Sequence, residues 1–261
     1  MARRRAIAVR GEAPIIVALT ALLTIVSLVP IGFAAAASLA VIALTMLAWR
    51  RRAPAATSLG VLFVACLALA LAGLGPQQVV FAIAFTVYAV VLSRTPWLRG
   101  AVGWFRLGTL GRHLLALGAG FAALSAVALL AWYTIVRPDL SDIARTFVPP
   151  WPVWLLVPGA ILFAVVNAAL EEAAYRGVVL EALEMALGPG AAAVALQAVA
   201  FGALHFHGGF PRGALGVGLA FVYGLVLGWL RQKAGGLLAP WVTHVLTDLV
   251  IASIMLALVH R

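Results

Sequence analysis

The chain has 261 residues, of which 65% are hydrophobic and 10% are charged, and this composition excludes a water-soluble globular protein. The formal net charge is +10 at pH 7, but the arginines lie in short breaks between apolar stretches rather than on one basic face. That distribution is typical of membrane-protein loops and argues against nucleic acid as a partner.

Nine apolar stretches follow one another along the chain, and each is close to the roughly 20 residues that a membrane-spanning helix needs. They are residues 13–29, 31–49, 57–75, 78–93, 113–136, 153–175, 191–207, 214–230 and 237–259. We therefore expect an all-α, polytopic transmembrane helix bundle with about eight to nine spans in the lipid bilayer. Because only Pro30 and Gly32 separate the first two stretches, a kinked or re-entrant pair would give the same pattern.

The basic N-terminus also resembles the start of a signal peptide, but hydrophobicity continues to Trp49, which favours a retained first span. With a cytoplasmic N-terminus, 14 of the 18 Lys and Arg residues fall on the cytoplasmic side, and four fall outside. These four are Arg137, Arg145, Arg212 and Arg261. The positive-inside rule thus predicts a multi-pass protein of the cell (inner or plasma) membrane whose N-terminus is cytoplasmic.

The longest external break, residues 137–152, separates a plain N-terminal half from a C-terminal half that carries polar residues within its apolar stretches. We predict two regions on this basis. Residues 1–112 are supporting transmembrane helices, and residues 113–261 contain a catalytic core of about four to five helices.

Two adjacent glutamates, Glu171 and Glu172, interrupt the sixth apolar stretch. Such residues cost roughly 3 kcal/mol each on membrane-insertion scales, so each is a functional candidate. Arg176 is four residues after Glu172 and is expected to pair with it, whereas Glu171 shares its own helix face with Asn167 and Tyr175. The alternative interpretation is an interfacial helix end capped by charges.

Two histidines and one aspartate lie in the later stretches. His205 follows Phe201 by one helical turn, and His244 and Asp248 are four residues apart on one face of the last stretch. Each of these residues alone is also consistent with a satisfied core position, since a buried His–Asp pair can satisfy itself.

Helix lengths predict that the candidates meet. Glu171 precedes the turn at residues 188–190 by 17 residues and His205 follows it by 15, which is about 25 and 22 Å along two helices of a hairpin. His244 lies only about 12 Å from the cytoplasmic end of its own stretch, so the depths agree if the turn protrudes about 10 Å into water. The site is then expected about 10 to 15 Å below the cytoplasmic face.

The other acidic residues receive no functional assignment. We expect Glu181 and Glu184 at the solvated hairpin turn, and Glu12, Asp139 and Asp142 in loops.

Three short motifs resemble those of a known family. They are Glu-Glu-x-x-x-Arg at 171–176, Phe-x-x-x-His at 201–205 and His-x-x-x-Asp at 244–248, in this order on separate stretches. Together they resemble the CPBP family of CAAX prenyl endopeptidases and bacteriocin-processing proteins, also called the ABI family. The resemblance covers about residues 155–250 and implies a helical intramembrane endopeptidase that hydrolyses a peptide bond near the cytoplasmic membrane surface.

The resemblance also implies roles for the motif residues. Glu171 with His205 would activate a water molecule, and His244 with Asp248 would stabilise the oxyanion.

Glu172 and Arg176 would form the supporting pair of this site. Asp248 stands where the best-studied members have Asn, and an ionised carboxylate would repel an oxyanion. Asp248 would therefore have to be protonated, or would act by orienting His244.

A zinc-dependent version of the same peptidase is the first alternative, with Glu171, His205 and His244 as ligands. We favour a glutamate mechanism that requires no cofactor, because the set lacks a His-Glu-x-x-His spacing.

Two further alternatives belong to other functional classes. An ion-coupled transporter would need a polar route across the membrane, but the first five stretches contain almost no ionisable residues. A non-catalytic bacteriocin-immunity or scaffold protein would keep the fold without turnover. The expected partner is a membrane-associated or lipidated peptide or protein, and prenylated proteins, bacteriocin precursors and membrane-anchored regulators all remain open, as does the oligomeric state.

Overall fold

A computed structural model describes residues 2–140 and 148–259, and every regular element within these two ranges is helical. The N-terminal part contains α1 (Ala2–Leu28), α2 (Ile31–Arg50), α3 (Pro54–Leu71), α4 (Gln77–Arg94) and the short α5 (Pro96–Arg99). The C-terminal part contains α6 (Arg112–Val136), α7 (Val153–Glu172), α8 (Leu180–Leu187), α9 (Ala191–Leu204), α10 (Gly213–Ala234) and α11 (Leu238–Val259). A π-helical segment, Ala173–Val179, joins α7 to α8 without a break. The prediction of an all-α bundle is confirmed.

Seven of these helical segments are long and apolar enough to cross a membrane. Two shorter apolar segments, Ala35–Arg50 and Ala191–Leu204, bring the total in the described ranges to nine, one for each predicted stretch. The protein is therefore a multi-pass membrane protein. The largest departure is the predicted span 153–175, whose helical path continues through Gly177 to Leu187 and ends at Gly188, which has a φ angle of 85°.

Proline residues mark where several helices begin. Pro30, Pro76 and Pro152 are the residues that immediately precede α2, α4 and α7, and Pro54 is the first residue of α3. Proline suits these positions because the first N–H groups of a helix have no intrahelical partner to lose. The short breaks between the apolar stretches are thus encoded locally.

Glycines allow α9 and α10 to pack closely. A Cβ atom on Gly224 would lie 3.1 Å from the Cα of Ala198, and one on Gly202 would lie 2.8 Å from the carbonyl oxygen of Val217. Small residues at such contacts let the helix backbones approach, which is a principal source of packing energy inside a bilayer. This contact fixes α9, and with it the histidine at its end, against the C-terminal part of the bundle.

The expectation that Glu12 lies in a loop is wrong. Glu12 lies within α1, is 6% exposed, and accepts hydrogen bonds from the backbone N–H groups of Ala55 (2.9 Å) and Ala56 (3.1 Å). These N–H groups belong to the first turn of α3, where Ala53 has no side chain that could cap them. A carboxylate is favourable at that position because a helix N-terminus is electropositive.

The two aspartates of the 137–152 break are described only in part. Asp139 lies exposed between α6 and α7, as expected for a loop residue, and Asp142 lies outside the described residues.

Candidate active site

The two glutamates of the first motif lie at the end of α7, immediately before the π-helical segment. Glu171 is 6% exposed and Glu172 is 1% exposed. A π-helical turn is rare and frequently occurs at functional sites. Inside this segment the carbonyl oxygen of Arg176 accepts a hydrogen bond from Nε of Arg231 on α10, at 3.1 Å. A side chain of a neighbouring helix thus stabilises the widened turn.

The hairpin that was predicted from helix lengths is present. Gly188 and Gly190 have φ angles of 85° and 156° and make the turn between α8 and α9. Across the hairpin, the rings of Tyr175 and Phe201 have centroids 5.2 Å apart, so the first and second motifs lie at one level.

His244 of α11 lies among three buried carboxyl groups. Its Nδ1 donates a hydrogen bond to Oε1 of Glu172 at 2.8 Å. Its Nε2 lies 3.8 Å from Oε2 of Glu171 and 3.6 Å from Oδ1 of Asp248. The first and third motifs, which are 72 residues apart, therefore meet at one imidazole ring.

Glu172 and Arg176 form the ion pair that their spacing predicts, with Nη1 of Arg176 2.9 Å from Oε1 of Glu172. Both side chains are almost completely buried. The same carboxylate oxygen also accepts the hydrogen bond from His244, so Glu172 holds the imidazole as well as the guanidinium. The guanidinium carbon lies 4.2 Å from the ring centroid of Phe201, a cation–π contact that links the first motif to the second.

The hydrogen-bond partner of Asp248 is Asn167, which the sequence analysis had grouped with Glu171. Nδ2 of Asn167 donates to Oδ2 of Asp248 at 2.9 Å, whereas the sequence placed Asn167 on the face of Glu171. Asn167 lies one helical turn before Glu171, and α11 packs against this part of α7, so the amide faces the third motif. One oxygen of Asp248 is thereby committed to Asn167, and the other faces His244.

Two residues of the N-terminal region reach this cluster and were not predicted. Nε2 of Gln77 donates to Oε1 of Glu171 at 3.1 Å, and Nε2 of Gln78 donates to Oδ1 of Asn167 at 2.9 Å. The available signal was weak: two adjacent amides directly follow Pro76 at the start of an otherwise apolar stretch.

His205 lies at the end of α9, and its orientation is set by its surroundings. Its Nδ1 donates to the carbonyl oxygen of Phe201 at 3.1 Å, because a carbonyl oxygen can only accept, and the neutral ring therefore presents Nε2 as an acceptor. A Cβ atom on Gly209 would lie 2.5 Å from Cδ2 of the imidazole, so only glycine fits against the ring. Among the contacts of the described residues, none joins His205 directly to Glu171.

Tyr223 of α10 borders the third motif. Its hydroxyl lies 2.8 Å from Oγ1 of Thr247 and 3.1 Å from the carbonyl oxygen of Thr243, and its ring centroid is 5.6 Å from that of His244. These contacts fasten α10 to α11 beside the imidazole.

The zinc alternative requires Glu171, His205 and His244 to converge on one ion. Within the described ranges, no group of three or more His, Cys, Asp or Glu side chains has an arrangement that could hold a metal ion. Among the described residues, the three side chains as arranged therefore do not form a preformed zinc site.

Part of the C-terminal half of the chain matches a known protein family. Residues 152–250 match the family described as Rce1-like, type II CAAX prenyl endopeptidase Rce1-like. The matched segment contains all three motifs and confirms the resemblance that they indicate. No curated protein matches the chain, and no solved structure matches it.

Proposed function

We propose, from the premise that residues 152–250 are an Rce1-like region, that the protein is an intramembrane endopeptidase that uses a glutamate-activated water molecule. Its substrate is a membrane-associated or lipidated peptide or protein. The observation that carries this proposal is the buried cluster in which Glu171, Glu172 and Asp248 surround His244. Buried carboxyl groups within apolar helices are costly, and their convergence on one ring is typical of a catalytic site.

Glu171 acts as the general base in the proposed reaction. Gln77 holds one of its oxygens, and the ionised carboxylate takes a proton from the water that attacks the scissile carbonyl carbon. Nε2 of His205 accepts the second hydrogen of this water and orients it. When the tetrahedral intermediate collapses, Glu171 returns the proton to the leaving amine, so the reaction releases two peptides and consumes one water molecule.

His244 stabilises the oxyanion of the tetrahedral intermediate through Nε2–H. Because Nδ1 already donates to Glu172, this role requires a doubly protonated imidazole, and the surrounding carboxylates favour that cation. A donor aimed at the oxyanion in a water-poor site is worth about 3 to 4 kcal/mol of transition-state stabilisation.

Asp248 acts through His244 rather than on the oxyanion. Its Oδ2 accepts from Asn167, and its Oδ1 lies 3.6 Å from Nε2 of His244, where its charge stabilises the imidazolium. This arrangement favours the orienting role over a direct contact with the substrate.

The N-terminus and the hairpin turn face the cytoplasm in this proposal. Basic residues gather at the end of the bundle that carries the turn: Arg231 pairs with Glu184 of α8 at 3.1 Å, and α2 and α4 both end in arginine. The rings of Trp49 and Trp97 lie 5.5 Å apart and place the end of α2 beside α5. The positive-inside rule assigns this end to the cytoplasm.

The test uses the purified full-length protein in proteoliposomes with an internally quenched peptide that carries a farnesylated cysteine in a CAAX sequence. We expect the wild type to release the C-terminal tripeptide, identified by mass spectrometry. Glu171→Gln should lower kcat by about 10²- to 10⁴-fold, because a general base is lost, while the unfolding temperature is retained. Glu181→Gln is the matched control, since Glu181 lies on α8 and accepts only from the backbone of Gly103 among the described hydrogen bonds.

Four results would contradict parts of the proposal. Full activity of Glu171→Gln would show that Glu171 is not the general base. Loss of cleavage in the presence of a chelator, with restoration by Zn²⁺, would establish the zinc-dependent alternative. A Glu171→Gln strain whose membrane peptidome and phenotype equal those of the wild type would favour the scaffold alternative. Cleavage of probe added outside sealed right-side-out vesicles would place the site on the other face.

A further inference from the structure

We propose that Gln77 and Gln78 of α4, which lie outside the Rce1-like region, are positioning residues of the active site. This inference rests on the proposed peptidase function and assigns part of that site to the N-terminal region. The two amides orient the two carboxyl groups that face Nε2 of His244.

Gln77 acts on Glu171 directly. Its Nε2 donates to Oε1 of Glu171 at 3.1 Å, and this leaves Oε2 as the oxygen that faces His244. The other end of the same amide lies against the loop that follows His205, since a Cβ atom on Gly208 would lie 3.3 Å from Oε1 of Gln77. The amide therefore lies between the proposed base and the segment that carries the water-orienting histidine, and its N–H stabilises the ionised carboxylate that a base requires.

Gln78 acts on Asp248 through Asn167. Nε2 of Gln78 donates to Oδ1 of Asn167 at 2.9 Å, which directs Nδ2 of Asn167 to Oδ2 of Asp248, also at 2.9 Å. Asn167 can donate to the carboxylate only through its nitrogen, so the hydrogen bond from Gln78 selects the productive amide orientation. The remaining oxygen of Asp248 then faces His244.

Helix geometry explains why two adjacent residues serve two different carboxylates. Side chains of consecutive helical residues are about 100° apart, so Gln77 and Gln78 reach different points on α7. Their acceptors, Glu171 and Asn167, lie one turn apart on the same face of that helix. Each chain of hydrogen bonds ends at a carboxyl group, and the other oxygens of these two groups lie 3.8 Å and 3.6 Å from the same imidazole nitrogen.

The experiment compares Gln77→Leu, Gln78→Leu and the control Thr86→Val in the proteoliposome assay with the farnesylated peptide. Thr86 is an exposed polar residue of the same helix whose hydroxyl bonds to Ala82 within α4. A second readout does not depend on peptidase activity. A hydrophobic carbodiimide modifies protonated carboxyl groups in the membrane, and mass spectrometry measures its adduct on Glu171.

We expect Gln77→Leu to lower kcat by about tenfold with KM within about twofold, because a hydrogen bond to a charged group is lost. The carbodiimide adduct on Glu171 should increase severalfold, since the ionised form loses its donor. Gln78→Leu should lower kcat by about fivefold, as its effect reaches Asp248 through one intermediate, and should leave the Glu171 adduct unchanged. Thr86→Val should match the wild type in both readouts.

Unchanged kcat and unchanged labelling in Gln77→Leu would overturn the inference while the peptidase function stands. If the wild type cleaves neither the probe nor any peptide of the membrane peptidome, while labelling of Glu171 increases in Gln77→Leu, the proposed function is refuted and the contact stands. An increase in KM with unchanged kcat would indicate a structural effect and would also contradict the proposal that Gln77 positions Glu171.

A second variant covers the case in which Gln77→Leu does not fold. Gly208→Ala places a methyl group 3.3 Å from Oε1 of Gln77 and should displace the amide, lowering kcat about threefold. In a Gln77→Ala background, where the amide is absent, the same change should cost nothing. Additive effects of the two substitutions would overturn the inference, because independent sites add and coupled ones do not.

Discussion

The N-terminal helices and the C-terminal helices use their buried polar residues in opposite ways. In the N-terminal region several of these residues satisfy one another or a nearby backbone: Tyr88 of α4 bonds to Ser58 of α3 at 2.6 Å and accepts from Nε1 of Trp104 at 2.9 Å. In the C-terminal region, by contrast, carboxyl groups from α7 and α11 converge on His244. A buried polar group with a local partner joins helices, whereas several costly groups around one ring indicate chemistry.

The two buried glutamates Glu12 and Glu172 make this contrast measurable, because one lies in each region and both are less than 10% exposed. Glu12 accepts two backbone N–H groups, and Glu172 holds a guanidinium and an imidazole. The same substitution at both positions separates a structural carboxylate from one that belongs to the site.

The largest effect is expected from Glu172→Gln. This change leaves the fully buried Arg176 without its counter-charge and His244 without its anionic acceptor, so it should lower the free energy of unfolding by about 3 to 5 kcal/mol. Activity of the remaining folded protein should fall at least tenfold, since the imidazole is no longer held. Denaturant unfolding in detergent and the peptide assay measure the two quantities, and wild-type activity would show that Glu172 is only structural.

A smaller effect is expected from Glu12→Gln. The amide oxygen still accepts from Ala55 and Ala56, but the negative charge at the N-terminus of α3 is lost, which should cost about 1 to 2 kcal/mol of unfolding free energy. Activity per folded molecule should equal that of the wild type. A large fall in kcat with an unchanged free energy of unfolding would show that Glu12 also serves the active site, and would contradict a purely structural role for the buried glutamate of the N-terminal region.

The smallest effect is expected from Ser58→Ala, which removes one hydrogen bond to Tyr88 while the bond from Trp104 remains. The free energy of unfolding should decrease by about 0.5 to 1 kcal/mol, as for one neutral hydrogen bond. Because Tyr88 lies on the helix that carries Gln77 and Gln78, the peptide assay also tests whether α4 stays in place. A change in kcat larger than the change in folded fraction would show that this N-terminal contact controls the site.

Most of the fold could be predicted because helices in a bilayer satisfy their own backbone groups, so hydrophobicity and helix breakers determine where they run. The turn at Gly188 to Gly190 was read from the sequence, and counting residues from it to Glu171 and His205 predicted that the first and second motifs lie at one level. The position of Glu12 was predicted wrongly, because an acidic residue at the start of an apolar stretch is expected in a loop unless its partner on another helix is known.

Individual contacts of the candidate site were predictable only where both partners lie within one helix. The spacing of Glu172 and Arg176 is four residues, and the ion pair follows from helix geometry alone. The bond between Asn167 and Asp248 joins residues 81 apart, and the bond between Gln77 and Glu171 joins residues 94 apart, so neither leaves a periodic signal. The roles of Gln77, Glu171 and Asp248 in catalysis are predictions that the variants test.

By itself, the sequence determined which segments enter the membrane and which residues are too polar to be there without a reason, because both follow from the cost of moving groups out of water. Only the tertiary structure decided which groups share a proton or a hydrogen bond. It brought Gln77 and Gln78 of α4 to the carboxylates of the C-terminal helices and placed Nε2 of His244 between two of them. Hydrogen bonds act over about 3 Å, so their partners depend on how helices pack and not on how far apart residues lie along the chain.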